Sequence, residues 1–249
     1  MTVLKHKNKG LALLVVLLVL IAPMVIFTPS SDLLSPVTDT TGLFFTLLTD
    51  SAGSKGFLIT LAVLCAFMLH LKLPADQLLT KLFQLGVILV IGFASKTGLK
   101  HMTESPRPYT ELIAQQLIIP EPAHFYRLDD KQREQVIDRI SDNVSEWRTR
   151  HWQGEKDYSF PSGHTIFVAI CIAFFGGLFL QHKRYVLTAG LLIWALGVAY
   201  SRLWLGMHRP IDLIGSVLFI FVVYALLPSF SVVGTKLLEK LPERVRHSL

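Results

Sequence analysis

Three short polar segments carry the chemistry of this 249-residue chain: Lys100 with Arg107, the run Pro161-Ser162-Gly163-His164, and Ser201-Arg202 with His208 and Asp212. An arginine offers a planar fork that grips two oxygens of an oxyanion, and a lysine adds a compact point charge. Pro106 and Pro108 bracket Arg107 and stiffen the backbone that presents it. Ser162 is placed to cap a helix opening at Gly163, where free N–H groups and the helix dipole favour an anion. Gly163 lets such an anion come close to the backbone, and His164 in the first turn can exchange a proton near neutral pH. His208 and Asp212 stand about one helical turn apart. A carboxylate on one imidazole nitrogen fixes the tautomer and leaves the other nitrogen as a nucleophile. Together with Arg202, the set suits a phosphate oxyanion that is first held and then attacked.

Taken alone, Lys100 and Arg107 read more simply as anchors that snorkel from the end of a span. Lys96, about one turn before Lys100 on the same face, fits either use. A metal site is a poorer reading. The segments lack the clustered carboxylates of a Mg²⁺ site and the three or four ligands that Zn²⁺ prefers, and their cations repel another cation.

The elements that must position these residues are membrane helices. Charged residues make up 17% of the chain and hydrophobic ones 51%, against about 25% charged in soluble domains. Mean hydropathy is +0.49. Apolar runs fall at 11–27, 56–69, 82–99 (interrupted by Lys96), 164–180, 185–201 and 213–234. A helix needs roughly 17–25 residues to cross a bilayer, so an all-α bundle of six transmembrane helices is expected. The first run is too long for a typical secretory h-region and no small-x-small site follows it, so it reads as a span rather than a leader. Cys65 and Cys171 both lie inside runs and read as buried thiols, not a disulfide framework.

The net charge of +6 is distributed by topology. One set of short flanks carries Lys5, Lys7, Lys9, Lys72, Lys81, Lys183, Arg184, Lys236, Lys240, Arg244 and Arg246; the other carries Lys55, Arg202 and Arg209. The positive-inside rule then puts both termini in the cytoplasm and speaks against a nucleic-acid footprint. All three polar segments fall on the outward face, at the ends of spans. The 100–163 segment becomes an extracytoplasmic insertion between the third and fourth spans, within a single domain covering 1–249. Residues 129–152 read as one helix, capped at Asp129 or Asp130, with Val136, Ile140, Val144 and Trp147 on one face. That stripe packs on the spans below or lies in the headgroup region, which suits Trp147 and Trp152. The same element is a candidate lid. Asn143-Val144-Ser145 matches a glycosylation acceptor but carries no argument by itself. Residues 236–249 are basic and mildly amphipathic, as a segment resting on an anionic leaflet would be.

Lys100-x6-Arg107-Pro108, Pro161-Ser162-Gly163-His164 and Ser201-Arg202-x5-His208-x3-Asp212 resemble, in order and without a departure, the three-part signature of the type 2 phosphatidic acid phosphatases. That superfamily also includes bacterial acid phosphatases and vanadium haloperoxidases. The stretches 151–164 and 201–208 further resemble its Gram-negative lipid phosphatases, which implies a bacterial inner membrane and a periplasmic site. The resemblance implies a metal-independent, cofactor-free enzyme with a phosphohistidine intermediate. His208 would attack phosphorus, Asp212 would orient it, and His164 would protonate the leaving oxygen and then activate water. Lys100, Arg107, Ser162, Gly163 and Arg202 would hold the equatorial oxygens. Phosphatidylglycerophosphate and undecaprenyl pyrophosphate are the implied substrates, with phosphatidate and related lipids behind them. Phosphotransfer to an acceptor other than water, and a non-catalytic lipid transporter on the same fold, are the competing functions.

Overall fold

The computed structural model describes residues 7–27 and 32–240, and every regular element among them is a helix. The order is α1 (Asn8–Phe27), α2 (Asp39–Asp50), α3 (Phe57–Leu69), α4 (Ala75–Thr103), α5 (Pro108–Gln115), α6 (Pro122–Phe125), α7 (Asp130–Ile140), α8 (Glu146–Gly154), α9 (Gly163–Gln181), α10 (Tyr185–Trp204), α11 (Pro210–Leu226) and α12 (Ser231–Lys240). Lys5 of the charge count and the basic end from residue 241 onward lie outside the described residues.

Helix α9 is the axle. Its sequence is apolar all round, which is the pattern of a helix enclosed on every side, and 83% of its apolar stretch is buried against 28% for that of α4. It packs on α4, α10 and α11 in its first half and on α1 along its π-helical stretch Ile172–Gly176.

The six apolar runs each fall on a helix, but fewer are long enough to span. Among the described residues, the stretch Ala75–Gln115, α9 and α10 have the length and composition to cross a membrane; α11 with α12 makes a fourth only as a pair bent by 69°. The run expected to continue to 234 stops at Leu226, because Leu227 leaves helical geometry and Pro228 follows it. Helix α3 has 13 residues, about 20 Å of length, and the apolar part of α1 is likewise short.

The segment between α4 and α9 also departs from expectation. Residues 129–152 form two helices, because the turn-forming run Ser141-Asp142-Asn143 breaks the pattern. Asp129 starts α7 with a full capping box: its Oδ1 accepts the Gln132 N–H at 2.8 Å and its own N–H donates to Gln132 Oε1 at 3.1 Å. Val136, Ile140 and Val144 bury into a second core with Tyr109, Phe125 and Trp152. Trp152 therefore sits inside protein rather than among headgroups. Its indole N–H, which must find an acceptor when buried, donates to Leu205 O at 2.7 Å. Trp147 is half-buried and donates to Asp39 Oδ1 at 3.0 Å. Leu205 and Met207, from the turn between α10 and α11, complete this second core, so the site lies where it meets the helical bundle.

Candidate active site

His208 stands in the turn between α10 and α11, and the segment preceding α9 holds that turn in place. Tyr109 N–H donates to Gly206 O at 3.0 Å, and Arg107 Nη1 donates to Met207 O at 3.0 Å. Gly206 has φ +67°, a left-handed conformation that favours glycine, and a Cβ there would lie 2.7 Å from Leu33 Cδ1. His208 Nδ1 lies 3.4 Å from Asp212 Oδ2. Ser159 Oγ donates to the same Oδ2 and is 3.4 Å from Nδ1. Asp212 Oδ2 also accepts the Arg209 N–H at 2.9 Å. On the other side of the ring, Arg107 Nη1 is 3.3 Å from His208 Nε2. Guanidinium only donates, so Nε2 bears the lone pair and the ring proton belongs on Nδ1, toward Ser159 and Asp212. Burial first, then the charges of Arg107 and Arg202, push His208 down to about 3 against the opposing pull of Asp212. The surroundings thus favour the neutral imidazole.

The three cations converge from separate elements. Arg107, extended at φ −75° and followed by Pro108 at the first position of α5, donates its backbone N–H to Tyr126 Oη at 2.8 Å. Its Nη2 meets Asp157 Oδ1 at 2.5 Å and Glu155 Oε2 at 3.2 Å. Arg202, fully buried near the end of α10, donates from Nη1 to Thr49 Oγ1 at 2.8 Å and from Nη2 to Glu155 Oε1 at 2.8 Å. Its Nε is buried without an acceptor among the described residues. Lys100 Nζ pairs with Asp157 Oδ2 at 3.2 Å and also donates to Tyr158 O. Burial alone would raise the Glu155 carboxyl, but Arg202, His164 and Arg107 hold it well below the usual carboxylate range. Asp157 is lowered in the same way, by Arg107 and Lys100 against its burial.

Ser162 caps α9: its Oγ accepts the Thr165 N–H at 3.3 Å, while its own N–H donates to Ser216 Oγ at 2.9 Å. The N–H groups of Gly163 and His164 take no acceptor among the described residues. The space before Gly163 is shared with Lys96, whose Cδ lies 3.0 Å from where a Cβ would be. His164 Nε2 is 3.9 Å from Glu155 Oε1. Gly53 makes room for the same nitrogen, since a Cβ there would lie 2.7 Å from it. A cavity of about 630 Å³ opens beside His164, Lys96, Lys100 and Glu155, with Phe57 and Phe93 in its wall.

All eight residues singled out by type and spacing (Lys100, Arg107, Ser162, Gly163, His164, Arg202, His208 and Asp212) thus come together around this junction. Ser201 does not face it; its Oγ turns back onto Val198 O at 2.6 Å. Spacing alone missed Glu155, Asp157, Ser159, Thr49 and Gly53. The first three precede Pro161 closely, which was a usable signal; Thr49 and Gly53 lie over a hundred residues from the residues they touch. Among the described residues, no three His, Cys, Asp or Glu side chains converge as metal ligands.

Phosphatidylglycerophosphatase B of Haemophilus influenzae is 32% identical over 193 residues, covering 74% of this chain and 79% of that protein. The protein of the same name from Escherichia coli K12 is 35% identical over 133 residues, 52% of each chain. The sequence pattern of the PAP2 superfamily matches residues 81–233, a stretch that contains every member of the three motifs. With more than half of the chain matched in this way, and motifs that meet in space, the chain belongs to the PAP2 superfamily.

Proposed function

We propose that the protein is an integral-membrane lipid phosphatase working through a phosphohistidine. The observation that carries this reading is the His208 Nε2 lone pair beside Arg107 Nη1 at 3.3 Å, with Arg202 and Lys100 converging on the same junction. His208 Nε2 forms a bond to phosphorus as the bond from phosphorus to the lipid oxygen breaks. His164 gives its proton to that departing oxygen. It then takes a proton from water, whose oxygen bonds to phosphorus as the bond from phosphorus to His208 Nε2 breaks, releasing inorganic phosphate and the free imidazole. Arg107, Arg202, Lys100, Ser162 and the N–H groups at the start of α9 hold the nonbridging oxygens, where charge is carried through the transition state. Asp212 keeps the His208 proton on Nδ1.

The relatives' name supports phosphatidylglycerophosphate as a substrate, and the motif resemblance adds undecaprenyl pyrophosphate. The cavity supports a lipid that reaches the site from the bilayer, since aromatic residues of α3 and α4 line it together with Lys96 and Lys100. Six membrane-crossing segments, with the site on the periplasmic face of the inner membrane and both termini in the cytoplasm, agree with the charge bias of the flanks. The chemistry needs no metal, because the cations do the work of one.

Phosphate release from a lipid panel, measured in chelator with purified protein, tests this reading. Wild type should release inorganic phosphate from phosphatidylglycerophosphate, and His208→Ala should lose about 10⁴-fold or more. Full activity in the variant would sink the mechanism. Loss of wild-type activity on chelation would sink metal independence, and product without free phosphate would mean transfer to another acceptor.

A further inference from the structure

The cationic site is filled by the protein itself. Glu155 bridges the two arginines, one oxygen on each, as two oxygens of a phosphate would. The nearer oxygen also sits 3.9 Å from His164 Nε2, on the side where the proposed leaving oxygen must be. Asp157 shares Arg107 Nη2 with Glu155 and also pairs with Lys100 Nζ. Both carboxylates come from one stretch that connects the end of α8 to Pro161 and has no regular structure. Their side chains differ from their partners in exposure: 32% for Glu155 and 55% for Asp157, against 0–1% for Arg202 and Arg107. The cations are fixed; the anions sit at the edge of the cavity and have somewhere to go.

Building on the proposed phosphatase reading, we propose that Glu155 is an internal competitor for the phosphate site, displaced by the lipid phosphate and returning to expel inorganic phosphate after hydrolysis. Removing the partner of a buried charge is costly unless another anion takes its place. A neutral headgroup therefore cannot clear the site, while a phosphoryl group can. The tether makes Glu155 an intramolecular ligand of high effective concentration, which free phosphate must outcompete alone. A lipid phosphate has an ally that free phosphate lacks, because its apolar chains remain held in the bilayer and cavity. Arg202 Nε, left without an acceptor among the described residues while Glu155 is in place, marks the carboxylate as an incomplete substitute for a phosphate with more oxygens to offer.

The test compares full-length wild type, Glu155→Gln and Glu155→Ala in detergent, reading the binding of inorganic phosphate from the rise in unfolding temperature. Removing the competitor should lower the half-saturating phosphate concentration about tenfold or more. The inhibition of lipid turnover by phosphate should tighten by a similar factor. Glu155→Gln keeps the size of the side chain and one acceptor, so it serves if Glu155→Ala does not fold. Unchanged or weaker phosphate binding in a folded variant overturns the proposal. A fall in turnover with unchanged phosphate binding also overturns it, and would make Glu155 a group that keeps His164 protonated. The binding measurement needs no turnover. If wild type releases phosphate from no lipid, the enzymatic reading fails while the Glu155 comparison still gives its own answer.

Discussion

The two histidines of the site are held in opposite ways. Around His208 the net is closed: its side chain is 0% exposed, and Asp212, Ser159 and Arg107 surround the ring. His164 borders the cavity, with 11% of its side chain exposed, a carboxylate at 3.9 Å and the bare backbone of Gly53 for a neighbour. The difference follows the proposed tasks. A nucleophile must keep one tautomer and one direction of attack, so the protein spends many contacts on it. A group that serves first a departing lipid oxygen and then a water needs free space in front of it.

Three substitutions break or sharpen this contrast. Asp212→Asn strikes the closed side, because the amide can no longer hold the His208 proton on Nδ1; phosphate release should fall about 10³-fold, with KM little changed. Gly53→Ala strikes the open side by placing a methyl 2.7 Å from His164 Nε2. Displacing a reacting group by about 1 Å can cost roughly 10²-fold, and kcat should drop by about that factor while the unfolding temperature stays near that of wild type. Ser159→Ala removes one hydrogen bond to a carboxylate that keeps its Arg209 N–H, so the loss should be only about tenfold. Were Ser159→Ala as damaging as Asp212→Asn, the serine would be a partner in proton movement and not a brace. A harmless Gly53→Ala would show that His164 has more freedom than its setting implies.

Much of the candidate site was legible because the proposed phosphate chemistry demands particular residue types and helix ends supply particular positions. Arg107 beside Pro108, Ser162 at a cap, and His208 one turn before Asp212 each follow a local rule. Glu155 and Asp157 break such a rule: carboxylates inside a proposed anion site look wrong until their pairing with the cations is seen. Thr49 and Gly53 obey no local rule, since only folding brings α2 and the following turn against α9 and α10. The bundle was legible as apolar runs, but run length overstates helix length where Leu227 and Pro228 end α11. Whether headgroups or protein would cover Trp152 stayed open in the sequence, because an amphipathic stripe beside it does not say which, and the second core decides it.

The attachment of the His208 turn to the second core has a consequence for how the protein fails. Leu205 and Met207 are planted in that core, whereas the residues following His164 along α9, from Ile166 onward, belong to the bundle. His208 thus directly follows residues of the second core while His164 leads into the bundle, so their spacing depends on how the two cores are aligned. A slip of an ångström between the cores would leave each one packed and helical yet pull the pair out of register. Inactivation in a harsh detergent should accordingly precede any loss of helix, making activity the finer gauge of a native bilayer-like setting.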